Sequence, residues 1–204
     1  AHSLVQTYRA RNALVVCGGN WTRFVNYHTP ESVSAADGAG AAVIGRTPDT
    51  SHFSMVDAIV DVESRYYGVM YMAGDAVKPS HSNKEATYTA PTFHITPAGF
   101  EAFRNFGMNA PIALARRLLA RNHIVGGDVA LITHQASSVL MTAWRQAIQP
   151  GQYINTIATF ANMTVATLPV NLAFAYDTLA RDYVVLLGIG VQPQTAAVLL
   201  RRNG

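Results

Sequence analysis

Apolar and polar positions along this chain follow no steady rhythm before residue 96 and a regular one after it. The opening stretch, "AHSLVQTYRARNALVV", reads as an amphipathic helix already under way, with Leu4, Val5 and Tyr8 on one side, followed directly by a strand over 13–17. Gly18 and Gly19 mark a turn. The small-residue segment "SVSAADGAGAAVIGRT" then alternates as strands do, in a composition that lets two backbone layers approach closely. Residues 46–95 carry short β segments such as "YYGVMYMAG" among polar loops bearing Pro79, Ser80, His81, Ser82 and Asn83. Such an insertion-like region is placed to cover a pocket.

From residue 96 the signals become periodic. Thr96 and Pro97 supply an N-cap and a first-turn proline, and "AGFEAFRNFGMNAPIALARRLLARNH" runs on at helical spacing with an interruption expected at Pro111. "DVALIT" reads as a strand, "SSVLMTAWRQAI" as a helix, "YINTI" as a strand and "ATLPVNLAFAYDTLA" as a helix. "YVVLLGIG" and "AAVLLRR" are the last strands, and the loop holding Pro193 between them favours an antiparallel closing pair. The alternation predicts a layered α/β structure with helices packed on a mixed sheet.

Composition narrows the functional classes. Half of the 204 residues are hydrophobic and 13% are charged, which describes a chain able to bury a sizeable core. No apolar run approaches the roughly 20 residues that cross a bilayer, and the first residues lack the layout of a secretory signal, so a cytoplasmic protein without a membrane partner is expected. The net charge of +3 gathers as Arg9 and Arg11, Arg116, Arg117 and Arg121, and Arg201 and Arg202. These clusters are too sparse for a nucleic-acid footprint and would suit solvated helix ends or an acidic partner. Cys17 is the sole cysteine and is expected to be a buried, inert thiol at a strand end.

Two polar residues stand out: His134 in "ITHQAS" and Asn162 in "TFANMTVAT", at equivalent places in consecutive strand-to-helix turns. An imidazole and a carboxamide at one sheet edge can donate two N–H groups to a developing oxyanion, or act as base and donor. By spacing alone, a core or capping role is the default reading. The glycines at 38, 40 and 45 miss the spacing of a dinucleotide-binding loop. The other histidines show no metal-ligand spacing, so no metal is expected, and His81 is the one further histidine that could join a site.

Taken in order, "ADGAGAAVIG", "HITPAGFEAF", "ITHQAS", "TFANMTVATLPVNLAFA" and "YVVLLGIGVQPQTAAVLLRR" resemble the ketoacyl-ACP synthase III branch of the thiolase superfamily. The resemblance implies a thiolase-like fold, layered αβαβα with mixed five-stranded sheets. It implies that 1–95 is the remainder of the N-terminal half and 96–204 the C-terminal half. In such enzymes a cysteine takes an acyl group from a thioester, and a histidine and an asparagine stabilise the enolate of the second substrate. The motifs put His134 and Asn162 in those roles.

The family's nucleophile lies ahead of the point where "AHSLVQTYRA" begins, so a preceding segment or a partner chain is expected to carry it; Cys17 falls on the following strand instead. Acyl-CoA or acyl carrier protein is the expected thioester, with no other cofactor, and a homodimer of the completed unit is implied. Ser137 and Val139 depart from the family pattern, which weakens carrier-protein docking on the helix after His134, although Arg145 lies one turn on. Ala161 replaces a glycine, and Met163 and Val165 are bulkier than the family's residues. "VQP" stands where the family has glycines, leaving the Gln192 N–H as an oxyanion donor where Pro193 has none. Ser137, Met163 and Gln192 are thus the expected pocket residues. Two other outcomes fit the same sequence: acyl transfer to an oxygen or nitrogen acceptor with His134 as base, and a non-catalytic partner subunit.

Overall fold

The computed structural model describes residues 1–74 and 91–204; the polar loop 79–83, with His81, lies outside the described residues. A single-turn helix α1 (His2–Gln6) leads into the antiparallel pair β1 (Asn12–Gly19) and β2 (Gly38–Gly45). Strand β3 (Phe53–Val62) follows, then a short antiparallel pair, β4 (Met70–Ala73) and β5 (Thr92–Ile95). The periodic part supplies α2 (Pro97–Arg121), β6 (Val129–Thr133), α3 (Ser138–Ile148), β7 (Gln152–Ile154), α4 (Ile157–Phe160), α5 (Thr167–Ala175), β8 (Tyr183–Gly190) and β9 (Gln194–Arg202).

Five strands form one mixed sheet in the order β3, β9, β8, β6, β7. β6 runs parallel to β7 and β8; β9 is antiparallel to β8, as the Pro193 loop predicted, and also to β3. β3 precedes residue 96 yet pairs with β9 from Phe53 to Val62, so this sheet draws on both sides of the expected 95/96 division. Long-range pairing of this kind leaves no local mark in the sequence.

Strand alternation builds the layers. Val129 and Leu131 of β6 join Leu114, Leu118 and Trp144 of α2 and α3, whereas Ala130 and Ile132 join Ala175 and Leu179 on the α5 side. α5 also packs on β2, and α1 leans on β1 and β2. The order is therefore α2 with α3, the five-stranded sheet, α5 and the β1–β2 pair. These are four layers of the expected αβαβα arrangement, with one correction: among the described residues the second sheet is a two-stranded pair, not a five-stranded sheet. The close crossing predicted for "DGAGA" is where β2 meets α5. A Cβ on Gly40 would stand 2.9 Å from Pro169 Cβ, and one on Gly38 would stand 2.6 Å from Met163 Sδ.

Two helix expectations fail for identifiable reasons. The opening helix stops at Gln6, because Tyr8 takes a left-handed φ of 58° and the N–H groups of Arg9 and Ala10 both close on the Leu4 carbonyl. Val5 is buried, but Tyr8 is exposed and lies under the Arg46 guanidinium. α2, by contrast, does not break at Pro111. A proline there deprives the Gly107 carbonyl of its usual helical N–H, and the buried Trp144 indole donates to that carbonyl at 2.9 Å instead. No helix among the described residues is long and apolar enough to cross a membrane.

Candidate active site

β6 is buried at all five positions and places His134, largely sheltered from solvent, at its carboxyl end. The ladder continues one residue further, the His134 N–H donating to the Leu187 carbonyl at 2.8 Å. Thr133 turns to the α3 side, where its hydroxyl lies 3.0 Å from Tyr153 Oη, so the alternation assigns His134 to the opposite, α5 side. Burial lowers the His134 pKa from 6.5 to about 4. Its imidazole is consequently neutral near pH 7, with one ring nitrogen donating and the other accepting.

Asn162 does not follow β7 directly, as the spacing suggested, but comes after the extra turn α4. Its backbone is stitched to the segment ahead of β2: its N–H donates to Ser34 O at 2.7 Å and its carbonyl accepts from Ala36 N at 3.0 Å. Asn162 Oδ1 accepts from Thr164 N at 3.0 Å, which leaves the carboxamide NH2 as the group able to donate elsewhere. Nearby, Asp37 of "ADGAG" accepts from the Thr22 N–H and hydroxyl, each at 2.8 Å, and those bonds hold its carboxyl below the usual range. That aspartate is a clasp for the 21–24 turn.

Sequence reasoning missed the residue that joins the two turns. Gln135, fully buried beside His134, donates from Nε2 to Ala161 O at 2.8 Å, immediately before Asn162. Its Oε1 accepts from the Thr156 N–H at 2.9 Å and the Thr156 hydroxyl at 3.1 Å. That hydroxyl also lies 2.5 Å from the amide of buried Asn171. One hydroxyl proton serves one acceptor at a time, and Gln135 Oε1 keeps the Thr156 backbone N–H whichever acceptor takes it. A buried polar side chain adjacent to a candidate site residue was the available signal.

The remaining expected site residues are placed as follows. Ser137 occupies the N-cap position of α3 without a side-chain capping bond. Met163 is buried, its thioether packed over Gly38. The Gln192 side chain ties the β8–β9 turn to a neighbouring loop, accepting from Gly68 N at 3.0 Å and donating to Met70 O at 3.1 Å. Cys17 is partly exposed in β1, opposite Gly40, and so is not the buried thiol expected. Arg145 lies over the Tyr153 ring beside an open groove lined by α3 and the segment after it, which neither His134 nor Asn162 lines. Among the described residues no group of three histidine, cysteine, aspartate or glutamate side chains is placed to hold a metal ion.

Comparison with known proteins agrees with the resemblance. A family model described as 3-oxoacyl-(acyl-carrier-protein, ACP) synthase III matches residues 1–64. The β-ketoacyl-(acyl-carrier-protein) synthase III of Rhodospirillum rubrum is 27% identical over 181 residues, covering 86% of this chain and 53% of that one. The chain thus spans about half the length of this relative. Among solved structures, 3-oxoacyl-(acyl carrier protein) synthase III from Pseudomonas aeruginosa PAO1 superposes with a TM-score of 0.76 at 21% identity, over 99% of this chain and 61% of that one. The enzyme of the same name from Aquifex aeolicus VF5 gives 0.78 at 20% identity, over 98% and 61%. At these identities the structural likeness concerns the fold.

Proposed function

We propose that this chain, similar in sequence and fold to 3-oxoacyl-(acyl-carrier-protein) synthase III, forms the enolate-binding part of an acyl-thioester condensing enzyme. The observation that carries this reading is the hydrogen bond from Gln135 to Ala161, which ties the turn of His134 to the turn of Asn162 at the carboxyl end of β6. The neutral imidazole N–H and the Asn162 NH2 are two uncharged donors of the kind that stabilise an enolate oxygen without a prior proton transfer.

In the reaction so assigned, an acyl group first moves from a coenzyme A or carrier-protein thioester onto a cysteine supplied by a preceding segment or a partner chain. A malonyl-type thioester then loses carbon dioxide, and negative charge gathers on its thioester oxygen between His134 and Asn162. The enolate carbon attacks the acyl-enzyme, a carbon–carbon bond forms, and the cysteine leaves as thiolate. The cysteine-bearing segment would also cover Leu14 and Val16, which β1 leaves exposed. A homodimer of the completed unit belongs to the same proposal.

The test begins with the protein isolated together with any chain that accompanies it, incubated with acyl-CoA and measured by denaturing intact mass. A cysteine-bearing polypeptide gaining one acyl mass is the expected result. Carbon dioxide release from a malonyl thioester should then fall by about 10²–10³ in His134→Ala and Asn162→Ala. Unchanged release in both variants would sink the role assignment.

A further inference from the structure

We infer that Gln135 is a positioning residue: it clamps Ala161 in a backbone conformation that alanine disfavours and so aims Asn162 alongside His134. Its catalytic consequence rests on the proposed roles of His134 and Asn162, whereas its geometry does not. Ala161 has φ 52° and ψ −147°, a region that glycine enters freely and a Cβ resists. Such a conformation persists only where the surroundings over-determine it.

The surroundings do so through one peptide plane. The unit between Ala161 and Asn162 carries the Ala161 carbonyl, which accepts from Gln135 Nε2 at 2.8 Å, and the Asn162 N–H, which donates to Ser34 O at 2.7 Å. It is therefore pinned from the β6 side and from the segment leading to β2. A rotation that relieved Ala161 would break both bonds and swing Asn162. Gln135 itself has no freedom to turn over, because the Thr156 backbone N–H requires an acceptor at Oε1 and thereby fixes Nε2 toward Ala161. The amide's bonds all reach the 156–161 segment and none caps the following helix α3, so it acts as a cross-tie between the two turns.

Three variants test the clamp: Gln135→Met, which keeps the volume and loses the amide, Ala161→Gly, and the two combined. The readouts are the NMR signals of the Asn162 side-chain NH2 and the His134 ring, together with turnover of the completed enzyme. In Gln135→Met the Asn162 signals should move or broaden, and kcat should fall about a hundredfold while KM changes little. Adding Ala161→Gly should recover part of that loss, because glycine holds the same φ unaided. Should Gln135→Met fail to fold, Gln135→Asn keeps the amide but shortens its reach, so one end of the tie must release, and the same readouts apply.

Asn162 signals that stay put in the position-135 variant, or a loss that Ala161→Gly does not recover, would overturn the clamp. Signals that move and are restored by Ala161→Gly without any change in turnover would uphold the clamp and refute the catalytic role of Asn162.

Discussion

β6 and β1 are both short apolar strands, and they end in opposite environments. Every residue of "VALIT" in β6 is buried, whereas in "NALVVCGG" of β1 Leu14 and Val16 are 67% and 64% exposed. Strand propensity does not separate them, since both are rich in valine and leucine. Cover does: β6 lies between α2 with α3 on one face and α5 on the other, while β1 has one strand neighbour, the single turn of α1 and the short 164–166 turn. The candidate site spans this divide. His134 and Gln135 stand on the finished core, and Asn162 is bonded to the segment entering β2. A two-stranded pair contributes little stability by itself, so the geometry of Asn162 depends on bonds anchored in the five-stranded region.

The contrast can be broken most directly at the core. Trp144→Ala should cost about 3–5 kcal/mol in urea unfolding, because it opens a cavity and strips the Gly107 carbonyl of its substitute donor; a smaller loss would mean that α2 tolerates Pro111 without it. Next in size is the pH response of His134. Its folded pKa, about 4, lies below the unfolded value near 6.5, so its contribution is fully present above pH 6.5 and is lost as the pH falls toward 4. The corresponding fall in unfolding free energy is on the order of 3 kcal/mol, and His134→Asn should flatten that part of the profile.

Smaller effects sharpen the comparison of layers. Gly40→Ala should lower stability by about 1–3 kcal/mol, since its Cβ would press on Pro169, while Gly18→Ala meets Ala39 Cβ at an ordinary 3.5 Å and should cost less than half as much. Smallest of all, Val16→Thr should shift the stability of this chain by no more than about 0.5 kcal/mol, the response of an exposed site. A large loss there would show that β1 is already covered in solution.

Much of the periodic region was legible because its signals are local. Thr96 does cap α2, accepting from Gly99 N at 3.1 Å, and β6, α3, β8 and β9 lie where alternation and helical spacing put them. The site was legible only in part. His134 and Asn162 stood out as polar residues beside apolar elements, but Gln135 looked like one more turn residue until its partners at Thr156 and Ala161 were seen. Gln192 was expected to offer a backbone N–H to substrate, and its side chain proves to brace the 68–70 loop.

The sequence by itself determined the main strands and helices after residue 96, the histidine at the end of a buried strand and the small residues at a close crossing, because each depends on neighbours a few positions away. Only the tertiary structure decided that β3 joins the C-terminal sheet, that Trp144 rescues the carbonyl freed by Pro111, and that Gln135 links the turns of His134 and Asn162. Those outcomes depend on hydrogen-bond donors and acceptors distant in the chain, and a buried polar group finds its partner only after the layers have closed around it.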